Sequence, residues 1–261
     1  MTKAVGCLLA LLVTVPVLAG YSVADLERIA AKDVVPEIRM AAGYALVSYY
    51  EATKTEAELL VLIEKGESEA IRMAAGLALS KLWIGAGKTK VFLMNEITEN
   101  GSALVRGAAV PALLDFLIAN NATSLEFLYT KGASEELQYA AAKAYFQKQR
   151  ANFDRAKLEA ICKDDTASAG YRKAAAEFLA GHYLFPPTTA LSRAELEKQA
   201  LEGENEYLRY AAAYALVNLL VSDSATDLHK KVASFFLDPK LSAEYKWAYA
   251  WTLGAKWAAG L

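Results

Sequence analysis

One short signature recurs along this chain and constrains its fold more than any other feature: a basic or amide residue, any residue, then two small ones. It stands at Arg39-Met40-Ala41-Ala42, Arg72-Met73-Ala74-Ala75, Arg106-Gly107-Ala108-Ala109 and Gln138-Tyr139-Ala140-Ala141. It continues at Arg172-Lys173-Ala174-Ala175 and Arg209-Tyr210-Ala211-Ala212, with a degenerate seventh copy at Lys246-Trp247-Ala248-Tyr249. Successive copies lie 33, 34, 32, 34, 37 and 37 residues apart. A period of that length belongs to stacked supersecondary units rather than to one globular core.

The physics of one unit follows from its pattern. Ahead of each anchor runs an apolar stretch at helical spacing, such as Leu59, Leu60, Leu62 and Ile63. A short polar turn comes next, for example Lys65 to Glu69 or Glu202 to Glu206. The anchor helix then carries small residues two and three places after the Arg and usually Ala-Leu at six and seven, all on one stripe. Alanines on that stripe let neighbouring helices approach, and a hairpin too small to bury its own apolar face must stack on the next. Ala42, Ala75, Ala109, Ala141, Ala175 and Ala212 are therefore expected between layers, with Leu46, Leu79, Leu113 and Leu216. A carboxylate in the turn (Asp33, Glu67 or Glu204) is placed to pair with the anchor Arg, the alternative being a solvated guanidinium.

Several copies extend further, as in IRMAAGYAL, IRMAAGLAL and LRYAAAYAL. This pattern resembles the HEAT-like repeats of the phycobilisome-lyase type over nearly the whole chain after residue 20. The resemblance implies an all-α fold, an α-α superhelix or solenoid of about seven helical hairpins with essentially no strand. It implies little about function, because such arrays serve as scaffolds, lyases, glycosylases and hydroxylases. Two departures stand out. Pro111 lies inside the third anchor helix, where it is expected to kink it at Gly107. Phe185-Pro186-Pro187-Thr188-Thr189 lengthens one connection and suggests a slight break near 184–190.

The chain opens MTKAVGCLLALLVTVPVLAG, one cation ahead of an uncharged run ending in Val17-Leu18-Ala19. That is the layout of a secretory signal over residues 1–19, cleaved near Ala19, and it predicts a periplasmic or extracellular protein. The rival reading is a retained anchor, since the run approaches the length that spans a bilayer. Removal of the signal takes Cys7 with it and leaves Cys162, so no internal disulfide is expected. Residues 20–261 would form the array.

Little in the chain looks catalytic. Its two histidines, His182 and His229, fall in different repeats, with no spacing suited to a metal. Cys162 sits on an apolar stripe beside Leu158 and Ile161, as an inert buried thiol does. No phosphate-binding glycine loop or nucleophile elbow is present, and no cofactor is expected. A net charge of −2 with interspersed signs argues against nucleic acid.

The unusual feature is aromatic. Positions one and five after each anchor share a helix side next to the core stripe, the side that lines the concave surface of such arrays. Met40, Tyr44, Met73 and Leu77 occupy it in the first two repeats, and Tyr210, Tyr214, Trp247 and Trp251 in the last two. Only the middle carries charge, with Lys143, Lys173 and Glu177. These eight apolar and aromatic residues are the expected binding surface for a protein or peptide; burial by curvature or end-capping is the alternative. The expectation is thus an exported, non-enzymatic binding or scaffold module. Two other readings stay open: a membrane-associated or self-associated assembly docking through the Trp-rich C-terminal end, and a chromophore- or small-molecule-handling enzyme of the lyase kind.

Overall fold

The structure is a computed structural model that describes residues 21–120, 124–185, 190–222 and 236–259. The expected leader, residues 1–19, and His229 lie outside the described residues. Among those residues the chain is all helical, with thirteen α-helices and one short 3-10 turn. They alternate between an outer series and an inner series that carries the anchors. The outer helices are α1 (Val23–Lys32), α3 (Glu56–Lys65), α5 (Lys90–Glu99), α7 (Leu125–Lys131), α9 (Arg155–Lys163) and α11 (Arg193–Glu202). The inner ones are α2 (Pro36–Thr53), α4 (Glu69–Gly85), α6 (Ala103–Ala119), α8 (Glu135–Lys148), α10 (Ala169–Leu184), α12 (Glu206–Ser222) and α13 (Ala243–Ala258).

Local sequence explains where these helices begin. Ser22, Thr55 and Ser192 open outer helices, each accepting the N–H three residues on while the acid there (Asp25, Glu58 or Glu195) bonds back; this satisfies two orphan donors at once. Ser68, Ser102, Ser134, Ser168 and Ser242 cap inner helices in the simpler way. Two of these serines also stitch repeats together. Ser68 donates to the Ala30 carbonyl and Ser242 to the Ala200 carbonyl, each on the outer helix of the preceding repeat.

The anchor residue has a different partner from the carboxylate suggested by spacing. Arg39, Arg72, Arg106, Gln138 and Arg209 donate to the carbonyls of Asp33, Gly66, Asn100, Gly132 and Gly203, at 2.7–3.2 Å. Each acceptor is the residue that ends the outer helix. The last carbonyls of a helix lack intrahelical donors, and a guanidinium six residues later supplies one. An amide does the same work, which is why Gln138 can stand for Arg. Arg172 uses the Cys162 carbonyl across a longer turn and also reaches Asp165. Of the three proposed acids, Asp33 bonds the backbone of Val35 and Glu204 pairs with Lys163 of the preceding repeat. Where an anchor does meet a carboxylate from another repeat, the acid opens the next inner helix: Glu136 for Arg106 and Glu244 for Arg209.

The stripe packs as expected. Ala42, Ala75, Ala109, Ala141, Ala175 and Ala212 are fully buried, as are Leu46, Leu79, Leu113 and Leu216. Helix α6 continues through Pro111 to Ala119 without interruption. Around the lengthened connection, α10 still packs on α12, and the Leu191 N–H bonds the Tyr183 carbonyl.

Where an open superhelix would leave its ends apart, the ends of this array meet. Each inner helix packs on the next in chain order, from α2 through α12 to α13, and α13 packs on α2. The seam is specific. The Trp247 indole N–H donates to the Tyr44 hydroxyl at 3.1 Å, and the Trp251 and Tyr44 rings lie 4.6 Å apart. Tyr21, ahead of α1, meets Trp257 edge-on at 5.2 Å. Gly254 lets the backbones close: a Cβ there would lie 2.5 Å from the Ala41 carbonyl oxygen. Gly43 acts likewise at the next junction, against the Ala70 carbonyl of α4. The array is a ring of inner helices, and the first repeat covers the face that the apolar C-terminal helix would otherwise expose.

Candidate binding site in the bore

A closed ring turns the concave face into the wall of a bore. Seven helices about 9 Å apart set their axes about 10 Å from the ring centre, and the long Tyr, Trp, Lys and Glu side chains on their inner faces reach far into that space. Positions one and five after each anchor line this bore in two layers. The layer toward the helix N-termini holds Met40, Met73, Gly107, Tyr139, Lys173, Tyr210 and Trp247. The second holds Tyr44, Leu77, Pro111, Lys143, Glu177, Tyr214 and Trp251.

All eight residues singled out from the sequence, Met40, Tyr44, Met73, Leu77, Tyr210, Tyr214, Trp247 and Trp251, lie on this wall and are half-buried. The aromatic ones form one surface. Tyr210 lies 5.4 Å from Trp247, Tyr214 stacks on Trp247 at 6.0 Å, and Trp247 lies 6.1 Å from Trp251. Tyr44 continues the surface onto α2 across the seam. A cavity of about 340 Å³ opens at the N-terminal mouth between α2 and α13, with Met40, Tyr44, Leu241, Lys246 and Trp247 among its lining residues.

The opposite arc is polar. Glu177 of α10 accepts from the Tyr139 hydroxyl at 2.7 Å, the Tyr210 hydroxyl at 3.0 Å and the Lys143 ammonium. Its side chain keeps 7% of its surface exposed and that of Lys143 30%, so the carboxylate is nearly enclosed by its partners. Burial pushes the Glu177 carboxyl up, yet Lys143, the Tyr139 hydroxyl and Lys173 outweigh it and hold the carboxyl below the ordinary range. Burial and the Glu177 charge push the Tyr139 and Tyr210 hydroxyls well up. Burial lowers Lys143, but Glu177 more than offsets it and the ammonium is held above its usual value. Tyr44, desolvated at the seam, is pushed up to about 12.

The third repeat breaks the wall. Gly107 is exposed, and a Cβ built there meets nothing within 4 Å. With Pro111 one turn below, α6 presents a recess across the ring from α12 and α13. The sequence marks this recess only through two residues that read as helix weakeners. It likewise shows Lys143, Lys173 and Glu177 as charges, while the convergence of Tyr139 and Tyr210 on Glu177 depends on which repeats become neighbours.

Elsewhere the reactive residue types are quiet. Cys162 is fully buried, and burial pushes its thiol up to about 12. His182 contacts Phe178, and burial, then Arg150, lowers its pKa. Among the described residues no group of three or more His, Cys, Asp and Glu side chains is placed to hold a metal, and no helix is long and apolar enough to cross a membrane. Comparisons with protein-family models, with curated proteins and with solved structures find no match to this chain.

Proposed function

We propose that this chain is an exported, non-enzymatic binding module that takes a slender peptide ligand into the bore of its helical ring. The observation that carries the reading is the continuous aromatic surface of Tyr210, Tyr214, Trp247, Trp251 and Tyr44, half-buried and reached through the N-terminal mouth. Tyr and Trp bury large areas and lose little rotamer freedom, so such a wall can anchor a ligand. The ionisable groups of the bore favour binding over proton transfer. Glu177 is held ionised, and Lys143, Tyr139 and Tyr210 are held protonated; none is poised to exchange a proton near neutrality. A partner helix, about 10–12 Å across with its side chains, is too wide for this bore. Docking of the Trp-rich end on a membrane or a second copy is disfavoured, because Trp251 and Trp257 contact the first repeat of their own chain.

The test uses a plug. Gly107→Phe adds a ring at a position where a Cβ meets nothing within 4 Å, and removing a helical glycine favours the helix, by about 0.5–1 kcal/mol for alanine. A pool of random hexapeptides with free ends is incubated with the chain from residue 20, and bound species are identified by mass spectrometry. The wild type should retain a subset that the plugged variant loses at an unchanged or raised melting temperature. Retention of the same peptides by the plugged variant, or of none by the wild type, contradicts the proposal.

A further inference from the structure

An ion pair that two other junctions of the ring close stands open at the seam. Glu136 and Glu244 each occupy the second position of an inner helix, two places before its own anchor. Each reaches back to the anchor of the preceding repeat, Glu136 to Arg106 at 3.1 Å and Glu244 to Arg209 at 3.6 Å. Because α13 packs on α2, the first repeat follows the seventh. The equivalent acid is then Glu37 of α2, and its equivalent anchor is Lys246 of α13. Among the described residues these two side chains make no ion pair and no hydrogen bond. Both are half-buried, and both line the cavity of about 340 Å³ between α2 and α13.

Lys246 departs from the other anchors in a second way. The other six donate to carbonyls near the ends of outer helices, a bond that offsets the cost of a cation in the first turn of a helix. Lys246 stands in the first turn of α13 without that bond among the described residues. Its charge and that of Glu37 therefore both remain available to the cavity. A simple anion would meet Glu37 there, and a simple cation would meet Lys246. A molecule carrying both signs satisfies the two together. The rest of the wall includes Met40, Leu241 and the Trp247 ring, which suit an apolar side chain. The volume lies at the lower end of the about 300–1,000 Å³ usual for ligand sites, which fits a small molecule.

We propose that the seam binds a free α-amino acid with an apolar side chain. Its ammonium pairs with Glu37 and its carboxylate with Lys246, while its side chain lies against Trp247 and Met40. The ligand thus completes at the seam the charge contact that Arg106 and Arg209 make directly. It also bridges the first and last repeats, so it favours the closed ring. The site lies at the mouth and does not depend on whether a peptide enters the bore.

The experiment is isothermal titration calorimetry on the chain from residue 20. The probes are L-leucine and L-phenylalanine, with N-acetyl-L-leucine, which lacks the ammonium, and L-leucinamide, which lacks the carboxylate. Leucine should bind the wild type about tenfold or more tightly than either derivative, since each lacks one charged partner. It should also raise the melting temperature, as a ligand of the folded state does. Lys246→Met should bind leucine and leucinamide within about twofold of one another, and Glu37→Gln should do so for leucine and N-acetyl-leucine. Without ligand, both variants should melt as the wild type does, because neither side chain has an intramolecular partner to lose among the described residues. Gly107→Phe, on another arc of the ring, should bind leucine normally. Leucinamide bound as tightly as leucine overturns the zwitterion and makes the site a reader of peptide amino ends. N-acetyl-leucine bound as tightly overturns the role of Glu37 and the proposal with it. Binding of neither leucine nor phenylalanine by the wild type overturns the site, as does loss of leucine in Gly107→Phe. Hexapeptides retained in the plug experiment would then still support the bore reading, which fails separately.

Discussion

The indole of Trp247 in the last helix donates its N–H to the hydroxyl of Tyr44 in the second, 203 residues away in sequence and 3.1 Å away in space. That bond lies on the seam where the array closes. It joins the aromatic residues of the last two repeats to those of the first, so the fold and the candidate site depend on the same contact.

The seam has no room for a larger residue at position 254. A Cβ at Gly254 would stand 2.5 Å from both the Ala41 carbonyl oxygen and the Tyr44 Cβ. Gly254→Leu should lower stability by about 1–3 kcal/mol, the usual cost of overpacking. Gly181→Ala, where nothing lies within 4 Å, should be neutral or stabilising by about 0.5–1 kcal/mol. Urea denaturation of the two variants checks the contrast, and equal effects would mean that α13 and α2 do not touch.

The anchor hydrogen bond predicts a tolerance that charge pairing does not. Arg72 donates to the Gly66 carbonyl at 3.2 Å, so Arg72→Gln should retain most of the stability and Arg72→Ala should lose about 1 kcal/mol. Denaturation at low and high salt separates the cases. A salt-sensitive loss in Arg72→Gln would show that the charge matters more than the donor.

How much of this was legible in the residues differs between levels. The repeat, its register and the buried stripe follow from local pattern: Ala75 and Leu79 are buried because 3.6-residue spacing puts them on the face that stacks. Closure does not follow, because a ring of seven needs about 51° of rotation per repeat, and that angle is set by small differences in interhelix packing. Its signal was nonetheless present, in a last helix that is apolar where an open array needs a polar end and that carries Gly254 against the first repeat. Tyr210 shows the same limit at the site. Its place on the bore wall was readable, whereas its bond to Glu177 required knowing that α12 and α10 bring a first-layer tyrosine and a second-layer glutamate to one centre.

Glu177 should give the ring an acid-sensitive component. Its folded pKa lies below the unfolded value despite burial, because of Lys143, Tyr139 and Lys173. A depressed carboxylate contributes stability that is fully present above the unfolded pKa and is lost as pH falls through the folded one. Stability of the wild type should therefore decline below about pH 4.5, the unfolded value of a glutamate. Glu177→Gln should be less stable at pH 7 by about 1–3 kcal/mol, since Lys143 loses its charged partner. It should also have a flatter profile in acid. Parallel profiles for the two proteins, measured by urea denaturation from pH 3 to 7, would contradict the assignment.

Enlarging the stacking stripe tests the layers directly. Ala75 is fully buried between α4 and its neighbours, and Ala75→Leu should cost about 1–3 kcal/mol. An unchanged melting temperature would show that this residue does not face the next layer.

The central claim is closure, and the distance between the two ends measures it. In the chain from residue 20, which lacks Cys7, Ala52, exposed near the end of α2, and Ala259, exposed just after α13, are replaced by cysteine and spin-labelled; the native Cys162 is fully buried and does not compete. Neighbouring inner helices about 10 Å apart, with flexible labels, predict a single narrow distance near about 20 Å by double electron–electron resonance. An open array with six steps of about 10 Å between its first and last inner helices predicts about 60 Å instead. A distribution centred there would contradict the ring and the bore built from it.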